Sequence, residues 1–470
     1  MHDSHDIILK EVAPAEVGEV DLYQRREKIY TRKIEGFFQK IRLYTGWPLL
    51  LAYFGLPWLI WDSRQSVLFD LPARKFHIFG LTLWPQDFFL LALVLIIAAY
   101  GLFMVTAIVG RVWCGYTCPQ TVWTAIYMYL EQLFEGSRNQ RIKRDKAPWS
   151  IEKFYRKILK HGSWLFVAFL TAFTFIGYFY PIRELIVDLC YIRVSVWPAY
   201  WILFFTLATY INAGWMREQV CQYMCPYAQF QSVMFDHHTL IVSYNSLRGE
   251  TRGPRKRTSK RVDSSLGDCV DCQLCVQVCP TGIDIRDGLQ YQCTGCALCI
   301  DACNSVMNKM GYSPNLISYT SESALAGGVM HWFRPRIVGY LSVFILMVAL
   351  FVYTLVNRTP LEMTVTRDRG DLFVRNTNGH IENIYTLHIM NMTNATYRYN
   401  LSVENLANAH LIGNREPEVR AGEDLHFSIR LKVPPDAAAP LNQMIFFNLE
   451  AQTDTELKTK VESRFIRPEL

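Results

Sequence analysis

Residues 268–304 read DCVDCQLCVQVCPTGIDIRDGLQYQCTGCALCIDACN and hold eight of the thirteen cysteines in this chain of 470 residues. The cysteines follow one spacing twice, since C-x2-C-x2-C-x3-C begins at Cys269 and again at Cys293. Three thiolates on so short a loop can reach three corners of one [4Fe–4S] cube, and the last cysteine of the other motif supplies the fourth corner. The spacing therefore predicts two interleaved clusters.

The two ligand sets follow from this interleaving. Cluster 1 is predicted to use Cys269, Cys272, Cys275 and Cys303, and cluster 2 to use Cys293, Cys296, Cys299 and Cys279. Structural zinc is the alternative, but zinc takes four ligands as two C-x2-C pairs rather than eight as interleaved quartets. Asn304 follows the last cysteine where Pro280 follows the first motif; neither residue is a ligand, so we expect little consequence. The stretch predicts a dicluster ferredoxin-like insert.

Five long runs elsewhere in the chain contain no charged residue. They cover 43–61, 88–110, 162–182, 194–216 and 337–357. Each is close to the ~20 residues that a helix needs to cross a bilayer. These runs exclude a single soluble globule, and they predict a polytopic α-helical membrane protein with five spans.

Lysine and arginine are distributed unevenly between the predicted loops. The segments 1–42, 111–161 and 217–336 hold 8, 10 and 12 of them, whereas 62–87 and 183–193 hold 3 and 2. Cytoplasmic loops of membrane proteins carry the excess of positive charge. We therefore predict a cytoplasmic N-terminus, two cytoplasmic long loops and a C-terminal part on the other side. All cysteines except Cys190 then lie on the reducing side, where clustered thiols indicate metal or redox chemistry.

The motif C-x-Y-x-C-P occurs twice, beginning at Cys114 and, 107 residues later, at Cys221. Each copy follows the cytoplasmic end of an even-numbered predicted span, so the first four spans form two similar hairpins. If the hairpins pack as pseudo-symmetric halves, their thiols converge on one soft-ligand site at the membrane surface, a possible copper site. The thiols are those of Cys114, Cys118, Cys221 and Cys225. The alternative is a packing repeat with buried thiols.

The C-terminal part of the chain lacks cysteine and consists of short alternating runs. The predicted strands are Leu361–Thr366, Asp371–Val374, Ile384–Met392, Tyr397–Val403, Leu425–Val433 and Met444–Ala451. Six or seven short strands in about 110 residues predict an immunoglobulin-like β-sandwich. One strand places His388, Met390 and Met392 on one face. We expect these side chains to pack, with copper binding as the alternative.

The predicted domains follow one another along the chain. They are a cytoplasmic segment over 1–42, a four-span membrane domain over 43–236, a basic linker over 237–262, the dicluster domain over 263–312, a fifth span over 337–357 and the sandwich over 358–470. The linker's basic run, Arg248–Arg261, indicates a tether on anionic lipid headgroups rather than nucleic-acid binding.

This arrangement resembles the cytochrome c oxidase accessory proteins, a family variously called CcoG, FixG or RdxA, over nearly the whole chain. The dicluster motif alone is shared with many proteins, and the C-x3-C-P pair also occurs in membrane proteins of nitrate and nitrous-oxide respiration. The joint arrangement is much more specific. Ala125 departs from the family pattern, in which an acidic residue is expected. The resemblance implies the cytoplasmic (inner) membrane of a bacterium, with the sandwich in the periplasm.

The resemblance also implies a function, namely assembly of a cbb3-type haem–copper oxidase, with reduction of Cu(II) to Cu(I) as the activity. The implied partners are the oxidase assembly machinery, copper-handling proteins and an unidentified cytoplasmic electron donor. Copper would meet the four C-x-Y-x-C-P thiols, since soft thiolates favour Cu(I). Two other functions stay open: an electron-transfer subunit of a quinone-linked respiratory chain, and a non-enzymatic assembly scaffold. Few histidines and acidic residues lie near the predicted interface, which disfavours the quinone alternative, and two intact cluster motifs disfavour the scaffold.

Overall fold

The chain is described by a computed structural model. It covers residues 28–61, 64–255, 266–329, 331, 333–368, 372–376, 379–393, 395–434, 440–454 and 456–468. Most of the predicted N-terminal segment and residues 256–262 of the predicted linker lie outside the described residues. The chain divides into two compact units, and each is described by itself. The first unit contains the residues up to Ala73, together with Ala98–Ser342. The second unit contains Arg74–Ile97, together with Val343–Leu470.

Fourteen α-helices and sixteen strands lie in the described parts of the chain. The helices are α1 (Phe37–Gly55), α2 (Phe88–Val109), α3 (Val112–Tyr116), α4 (Pro119–Glu135), α5 (Arg138–Lys146), α6 (Ile151–Ile176), α7 (Ile182–Cys190), α8 (Val196–Thr209), α9 (Pro226–Met234), α10 (Ser246–Gly249), α11 (Leu274–Val278), α12 (Leu298–Met310), α13 (Glu322–Leu325) and α14 (Pro335–Val356). The strands are β1 (Ile60–Trp61), β2 (Arg64–Gln65), β3 (Val67–Asp70), β4 (Lys75–Ile78), β5 (Leu81–Leu83), β6 (Ile241–Tyr244), β7 (Ile317–Thr320), β8 (Leu361–Arg367), β9 (Val374–Arg375), β10 (Ile381–Asn391), β11 (Tyr397–Glu404), β12 (His410–Ile412), β13 (Glu418–Val419), β14 (Asp424–Val433), β15 (Asn442–Ala451) and β16 (Lys458–Ile466).

Three helical segments among the described residues are long and apolar enough to cross a membrane. They are Pro85–Val109, Ile151–Ile176 and Pro335–Val356. In the most apolar 18 residues of the first segment, only 11% are buried within the protein. In the corresponding part of the last segment, only 6% are buried. Apolar surface on this scale is covered by lipid in membrane proteins, where helices satisfy their own backbone hydrogen bonds. These candidate spans indicate a membrane protein.

The other two predicted spans also form helices, but their bounds differ from the uncharged runs. α1 begins at Phe37 rather than Leu43, and it gives way at Leu56 to a 3-10 turn that contains Pro57. The fourth run begins as α8, and at Tyr210 it continues as a π-helical stretch to Met216.

The third predicted span is part of a longer helix. α6 begins at Ile151, where the hydroxyl of Ser150 accepts a hydrogen bond from the N–H of Lys153, as an N-cap residue does. It ends at Ile176 rather than Ile182, because the chain turns before Pro181 and a separate helix, α7, follows.

The two cysteine motifs lie in a small ferredoxin domain with its own core. β6 and β7 pair antiparallel, with Val242 opposite Tyr319 and Tyr244 opposite Ile317. α11 contains Cys275, and α12 contains the last two cysteines of the second motif. The buried side chains around the cysteines are mainly aliphatic, namely Val242, Ile285, Ile300, Met307, Leu316 and Ile317.

The C-terminal part contains two antiparallel sheets. One has the order β12-β14-β10-β8, with β9 also paired to β10, and the other has the order β13-β11-β15-β16. Side chains alternate along β10, so Tyr385, Leu387 and Ile389 are fully buried. They share a core with Phe447 and Phe465 of the second sheet. This is the β-rich, immunoglobulin-like part of the fold.

The described tail contains nine strands where six or seven were expected. Five of the predicted strands form with similar bounds. Of the sixth, Asp371 lies outside the described residues, and Val374 belongs to the two-residue strand β9. β16 has no counterpart among the predicted strands. Its inward positions include the polar residues Thr459 and Ser463, so the apolar alternation that marks a strand is weak.

Candidate functional site

The two ferredoxin motifs share one backbone conformation. In the first, Asp271 and Gln273 flank the middle cysteine with φ of 50° and 54°, and in the second, Gly295 and Ala297 flank it with φ of 67° and 59°. Left-handed residues on both sides of a cysteine curl the chain tightly. The same loop is therefore built twice.

Each predicted quartet of cysteines surrounds one cavity. A cavity of about 350 Å³ is lined by Cys269, Cys272, Cys275 and Cys303. A second, of about 340 Å³, is lined by Cys279, Cys293, Cys296 and Cys299, and Cys275 borders it as well. The last cysteine of each motif thus lies with the first three of the other, as interleaved clusters require. The structure brings both quartets together; iron ligation by these residues stays a prediction.

The spacing of the sulfur atoms distinguishes a cluster from a single ion. Within the described residues, which include all thirteen cysteines, no three cysteine sulfurs lie within 4.8 Å of one another. Four thiolates around one zinc ion, at ~2.3 Å from the metal, would be about 3.8 Å apart. A [4Fe–4S] cube separates its ligands more widely, because each cysteine binds a different iron atom. The residues therefore fit two clusters better than two zinc ions.

Burial favours the protonated form of the ferredoxin thiols. Burial, together with the neighbouring cysteines, raises the pKa of Cys293 and that of Cys303 to about 12. Metal ligands must be thiolates, so iron binding would have to displace these protons.

Groups around the sulfurs supply positive charge and N–H donors that the cysteine spacing does not reveal. Arg286, only 6% exposed, forms ion pairs of 2.6 Å with two aspartates and lines the cavity of the first quartet. The N–H of Gly295 donates to Cys293, and that of Ile317 donates to Cys303. Hydrogen bonds to the sulfurs are among the features that set the reduction potential of a cluster.

The four cysteines of the C-x-Y-x-C-P motifs, here called the membrane-edge thiols, occupy equivalent positions. Cys114 lies in the short helix α3, and Cys221 lies in the π-helical turn Val220–Met224. Cys118 and Cys225 directly precede the prolines that begin α4 and α9. Proline suits a first helical position because no N–H is needed there. The repeated proline therefore places both second thiols at helix N-termini.

The membrane-edge thiols lie close enough to one another to interact electrostatically. Burial raises the pKa of Cys114 to about 12, and charge on the other three thiols raises it too. Burial and charge on Cys118 and Cys225 likewise raise the pKa of Cys221 to about 12. No three of the described cysteine sulfurs lie within 4.8 Å of one another, so at most two of these thiols can contact one ion as they stand.

A buried polar network supports Cys114. Its Sγ donates to Oε1 of the fully buried Gln231 at 3.4 Å. The side-chain amide of Gln231 donates to the hydroxyl of Thr106 at 3.3 Å, and that hydroxyl lies 2.6 Å from the hydroxyl of Tyr227. Thr106 belongs to α2, whereas Tyr227 and Gln231 belong to α9, which follows the second motif. The network therefore holds the two motifs together.

The second ferredoxin motif is in direct contact with both C-x-Y-x-C-P motifs. A Cβ atom on Gly115 would lie 2.8 Å from the carbonyl oxygen of Gly295 and 2.9 Å from the Cα of Cys296. Only glycine permits so close an approach of two backbones. The hydroxyl of Tyr291 donates to the carbonyl oxygen of Gln222, in the other C-x-Y-x-C-P motif, at 3.3 Å. The second quartet is thus the one beside the membrane-edge thiols.

Arg111 lies between the second quartet and the membrane-edge thiols. Its guanidinium donates to the carbonyl oxygen of Cys293 at 3.2 Å and to that of Ala228 at 2.8 Å. Its charge lowers the pKa of Cys114, Cys221 and Cys293, which opposes the larger upward effect of burial. One buried cation therefore stabilises negative charge at both sites.

Two further contacts fix the ferredoxin domain to the membrane part. The carboxylate of Asp301, in α12, accepts hydrogen bonds from the N–H groups of Phe38 and Gln39 at 3.2 and 2.8 Å, and so caps α1. Nε of Arg42 donates to the carbonyl oxygen of Gly115 at 3.1 Å. The first helix thereby holds both the second ferredoxin motif and the first C-x-Y-x-C-P motif.

A charged cleft of about 750 Å³ is lined by residues that include Lys28, Glu131, Lys160, His161, Arg217 and Glu218. Glu131 is fully buried and forms ion pairs of 3.0 Å with Arg141 and Arg217. Burial alone would raise the pKa of Glu131, but Arg217 and Arg141 hold it below its usual value. Arg217 and Glu218 also line a smaller cavity with Cys221. The charged cleft therefore adjoins the membrane-edge thiols.

Three family models match the chain. A model described as "4Fe-4S dicluster domain" matches residues 216–322, which include all eight ferredoxin cysteines and the second C-x-Y-x-C-P motif. A model described as "4Fe-4S binding domain" matches 91–135, which include the first C-x-Y-x-C-P motif. A model described as "IG-like fold at C-terminal of FixG" matches 351–468.

Curated proteins with related sequences cover nearly the whole chain. "Nitrogen fixation protein FixG" of Rhizobium meliloti is 36% identical over 463 residues, which are 90% of this chain and 87% of that protein. "Protein RdxA" of Cereibacter sphaeroides is 38% identical over 402 residues, with 82% and 84% covered, and "Protein RdxB" of the same organism is 38% identical over 411 residues, with 83% and 84% covered. With its dicluster domain, candidate spans and C-terminal immunoglobulin-like domain, the chain belongs to the FixG/RdxA/RdxB family of iron–sulfur proteins.

Proposed function

We propose that this protein is a membrane-bound oxidoreductase that reduces Cu(II) to Cu(I) at the membrane-edge thiols, and that it serves the assembly of a cbb3-type oxidase. The description of the matching C-terminal family model names an oxidoreductase, and FixG is named a nitrogen fixation protein. One observation carries the proposal. The backbone of Gly115, next to Cys114, touches the backbone of Cys296, a predicted ligand of cluster 2.

This contact supports a short electron path between the two groups of cysteines. When bound, each [4Fe–4S] cluster would accept and release one electron. Arg111 would stabilise negative charge at Cys293 and at Cys114, so a single residue would hold both ends of the path. Copper is the substrate: each Cu(II) takes one electron and becomes Cu(I), and two reduced clusters would deliver two. Thiolates favour the softer product, Cu(I).

We also propose that the chain crosses the membrane five times. α8 and the π-helical stretch that follows it contain 14 and 7 residues, and together they make a continuous helix over Val196–Met216. At 1.5 Å per residue α8 alone is about 21 Å long, and the π-helical stretch extends it towards the ~30 Å of a hydrocarbon core. α1 exposes Tyr44, Trp47 and Leu51, as a lipid-facing helix would. Five crossings would put the ferredoxin domain in the cytoplasm and the C-terminal domain in the periplasm.

The partners implied by this function belong to the same proposal. A cytoplasmic ferredoxin domain would take electrons from a cytoplasmic donor. Copper-handling proteins and the oxidase assembly machinery would supply the ion and receive it. The contacts of the second ferredoxin motif with Gly115 and Gln222 would put the transfer site on the same side of the membrane as the ferredoxin domain.

A single-turnover assay tests the proposal. The full-length protein is reduced under anaerobic conditions, freed of reductant and mixed with Cu(II) and a Cu(I)-specific chelator. We expect about two Cu(I) per protein, formed as the cluster absorbance returns to that of the oxidised state. Protein with oxidised clusters is the control, and it should form little Cu(I). Clusters that stay reduced in the presence of Cu(II) would contradict the proposal and favour the scaffold alternative.

Electron transfer with a quinone is a second candidate function, and the charged cleft favours it. The sequence offers few histidines and acidic residues near the interface, but the fold gathers Glu131, His161 and Glu218 in one cleft. The Nδ1 atom of His161 lies 2.8 Å from the hydroxyl of Tyr210, which fixes the ring. Oxidation of a quinol releases two protons and two electrons, and His161 and Glu218 are groups that can accept the protons, whereas Glu131 stays ionised beside its two arginines.

A quinol analogue distinguishes the two functions. If the cleft binds a quinol, a short-chain quinol should reduce the clusters, and His161→Gln should slow that reduction without changing reduction by dithionite. Equal rates in the wild type and His161→Gln would exclude the cleft as the entry site.

A further inference from the structure

The outer face of one sheet of the C-terminal domain carries a second group of potential metal ligands. β10 lies between β8 and β14, with His388 opposite His426 on one side and opposite Thr364 on the other. The next outward pair along the same strands is Met390 and Asp424. Side chains of paired residues lie on the same face of a sheet. Two histidines and one aspartate from two strands therefore meet on this face.

These three side chains form a compact group. One ligand atom each from His388, Asp424 and His426 all lie within 4.8 Å of one another, and among the described residues no other group of three or more His, Cys, Asp or Glu does so. Nε2 of His426 is 3.5 Å from Oδ1 of Asp424, and Nε2 of His388 contacts the same oxygen. The two imidazole rings are stacked, with centroids 3.8 Å apart and planes 13° apart.

The group is open on one side and enclosed on the other. The side chain of His426 is 60% exposed and that of Asp424 is 36% exposed, whereas that of His388 is 26% exposed. Nε2 of His388 is buried, and it faces the Asp424 carboxylate that it contacts. A buried ring nitrogen beside a carboxylate and a second imidazole offers a lone pair that a cation can use.

The two methionines near the end of β10, Met390 and Met392, are engaged elsewhere. Nε2 of Gln86 donates to the sulfur of Met390 at 3.1 Å, and the guanidinium of Arg358 donates to the sulfur of Met392 at 3.4 Å. The ligand set is therefore made of imidazole and carboxylate, and it differs from the His388, Met390 and Met392 face that the sequence of the strand suggests. Asp424 and His426 join it only because β14 pairs with β10 in this register.

We propose that His388, Asp424 and His426 bind one divalent transition-metal ion, with water completing its coordination. Two imidazole nitrogens and one carboxylate oxygen suit Cu(II), Zn(II), Ni(II) and Fe(II), and the Irving–Williams order makes Cu(II) the tightest of them. Thiolate ligands favour Cu(I), so this site and the membrane-edge thiols differ in the oxidation state that they prefer. The inference stands on the C-terminal domain alone and does not depend on copper reduction.

The test adds one equivalent of Cu(II) to the oxidised full-length protein and detects the remote nitrogen of coordinated imidazole by pulsed electron paramagnetic resonance. We expect two imidazoles in the wild type, one in His426→Gln and none in the His388→Ala, His426→Ala double variant. Asp424→Asn should weaken Cu(II) binding by more than about tenfold, since even outer-shell partners of a metal are worth ten- to a hundredfold in affinity.

Two features keep this test decisive. His410→Ala is the matched control, because His410 is an exposed histidine on β12 of the same sheet, and this variant should keep both imidazole signals. His426 is largely exposed, so His426→Gln is expected to fold even if the double variant does not. A wild-type spectrum without coordinated imidazole, or one that His426→Gln leaves unchanged, would overturn the proposal and leave a stacked histidine pair beside an aspartate.

Discussion

Gly115, in the first C-x-Y-x-C-P motif, packs against the backbone of Cys296, in the second ferredoxin motif. A Cβ atom on Gly115 would lie 2.9 Å from the Cα of Cys296. The residues are far apart in sequence, yet their contact joins the two groups of cysteines. The position of the clusters relative to the membrane-edge thiols therefore depends on residue 115 being glycine, which has no side chain.

Gly115→Ala should separate the two motifs. Forcing a methyl group into this contact should cost about 1–3 kcal/mol, as overpacking does. We expect iron content to be kept and reoxidation of the clusters by Cu(II) to slow, as measured by stopped-flow absorbance. Gly162→Ala is the control, because a Cβ atom there meets nothing within 4 Å. If Gly115→Ala and Gly162→Ala react at the same rate, this contact has no part in electron transfer.

The metal content tests the interleaved quartets. Two clusters predict about eight iron and eight sulfide per chain, with paramagnetic signals after reduction. Cys275 borders both cavities, so Cys275→Ser should abolish one cluster and destabilise the other. Zinc without acid-labile sulfide would contradict the cluster assignment. About twelve iron would instead indicate a third cluster on the membrane-edge thiols and count against copper there.

The clusters could be predicted from the sequence because their ligands are local. Three of the four thiols in each quartet lie within seven residues, and a loop that short leaves little choice of geometry. The contact of Gly115 with Cys296 could not be predicted, since the spacing within either motif says nothing about which surface the other motif meets. The role of Arg111 could not be predicted for the same reason, because its partners lie in three separate segments.

Other features depended on tertiary contacts in the same way. Glu131 and His161 are separate charged or polar residues in the sequence, and only folding puts them in one cleft. His388 could be placed on a strand face from its alternation, but its partners His426 and Asp424 required the register of β10 with β14. The uncharged runs indicated helices, three of which are candidate membrane spans, whereas helix ends depended on turns, such as the one before Pro181.

Copper affinity should rise with pH. Burial raises the pKa of Cys114 and that of Cys221 to about 12, so these thiols are protonated near neutral pH and must release protons when they bind Cu(I). Below that pKa, each released proton raises the affinity about tenfold per pH unit. If two thiols bind the ion, the Cu(I) affinity should rise about a hundredfold per pH unit. Competition with a chelator of known affinity measures this rise. An affinity independent of pH would exclude binding by these thiols.

The topology has a direct test. A reporter fused after Leu470 should be active only outside the cytoplasm, and a reporter inserted near Ser259 should be active only inside. The reason is the excess of lysine and arginine in 1–42, 111–161 and 217–336, together with an odd number of spans. Exchanged activities would put the cysteines in an oxidising compartment and contradict the proposed electron path.

Copper is proposed to be bound and reduced at the membrane-edge thiols, with the clusters as the source of electrons. A comparison of the wild type with the Cys221→Ser, Cys225→Ser double variant tests this through iron content, Cu(I) affinity and single-turnover Cu(II) reduction. We predict that the double variant keeps its iron but loses copper binding and reduction, whereas Cys272→Ser loses reduction and keeps part of the copper affinity. Cys190→Ser, which changes an exposed cysteine outside both motifs, should behave as the wild type. Normal copper binding and reduction in the Cys221→Ser, Cys225→Ser protein would contradict copper reduction at these thiols.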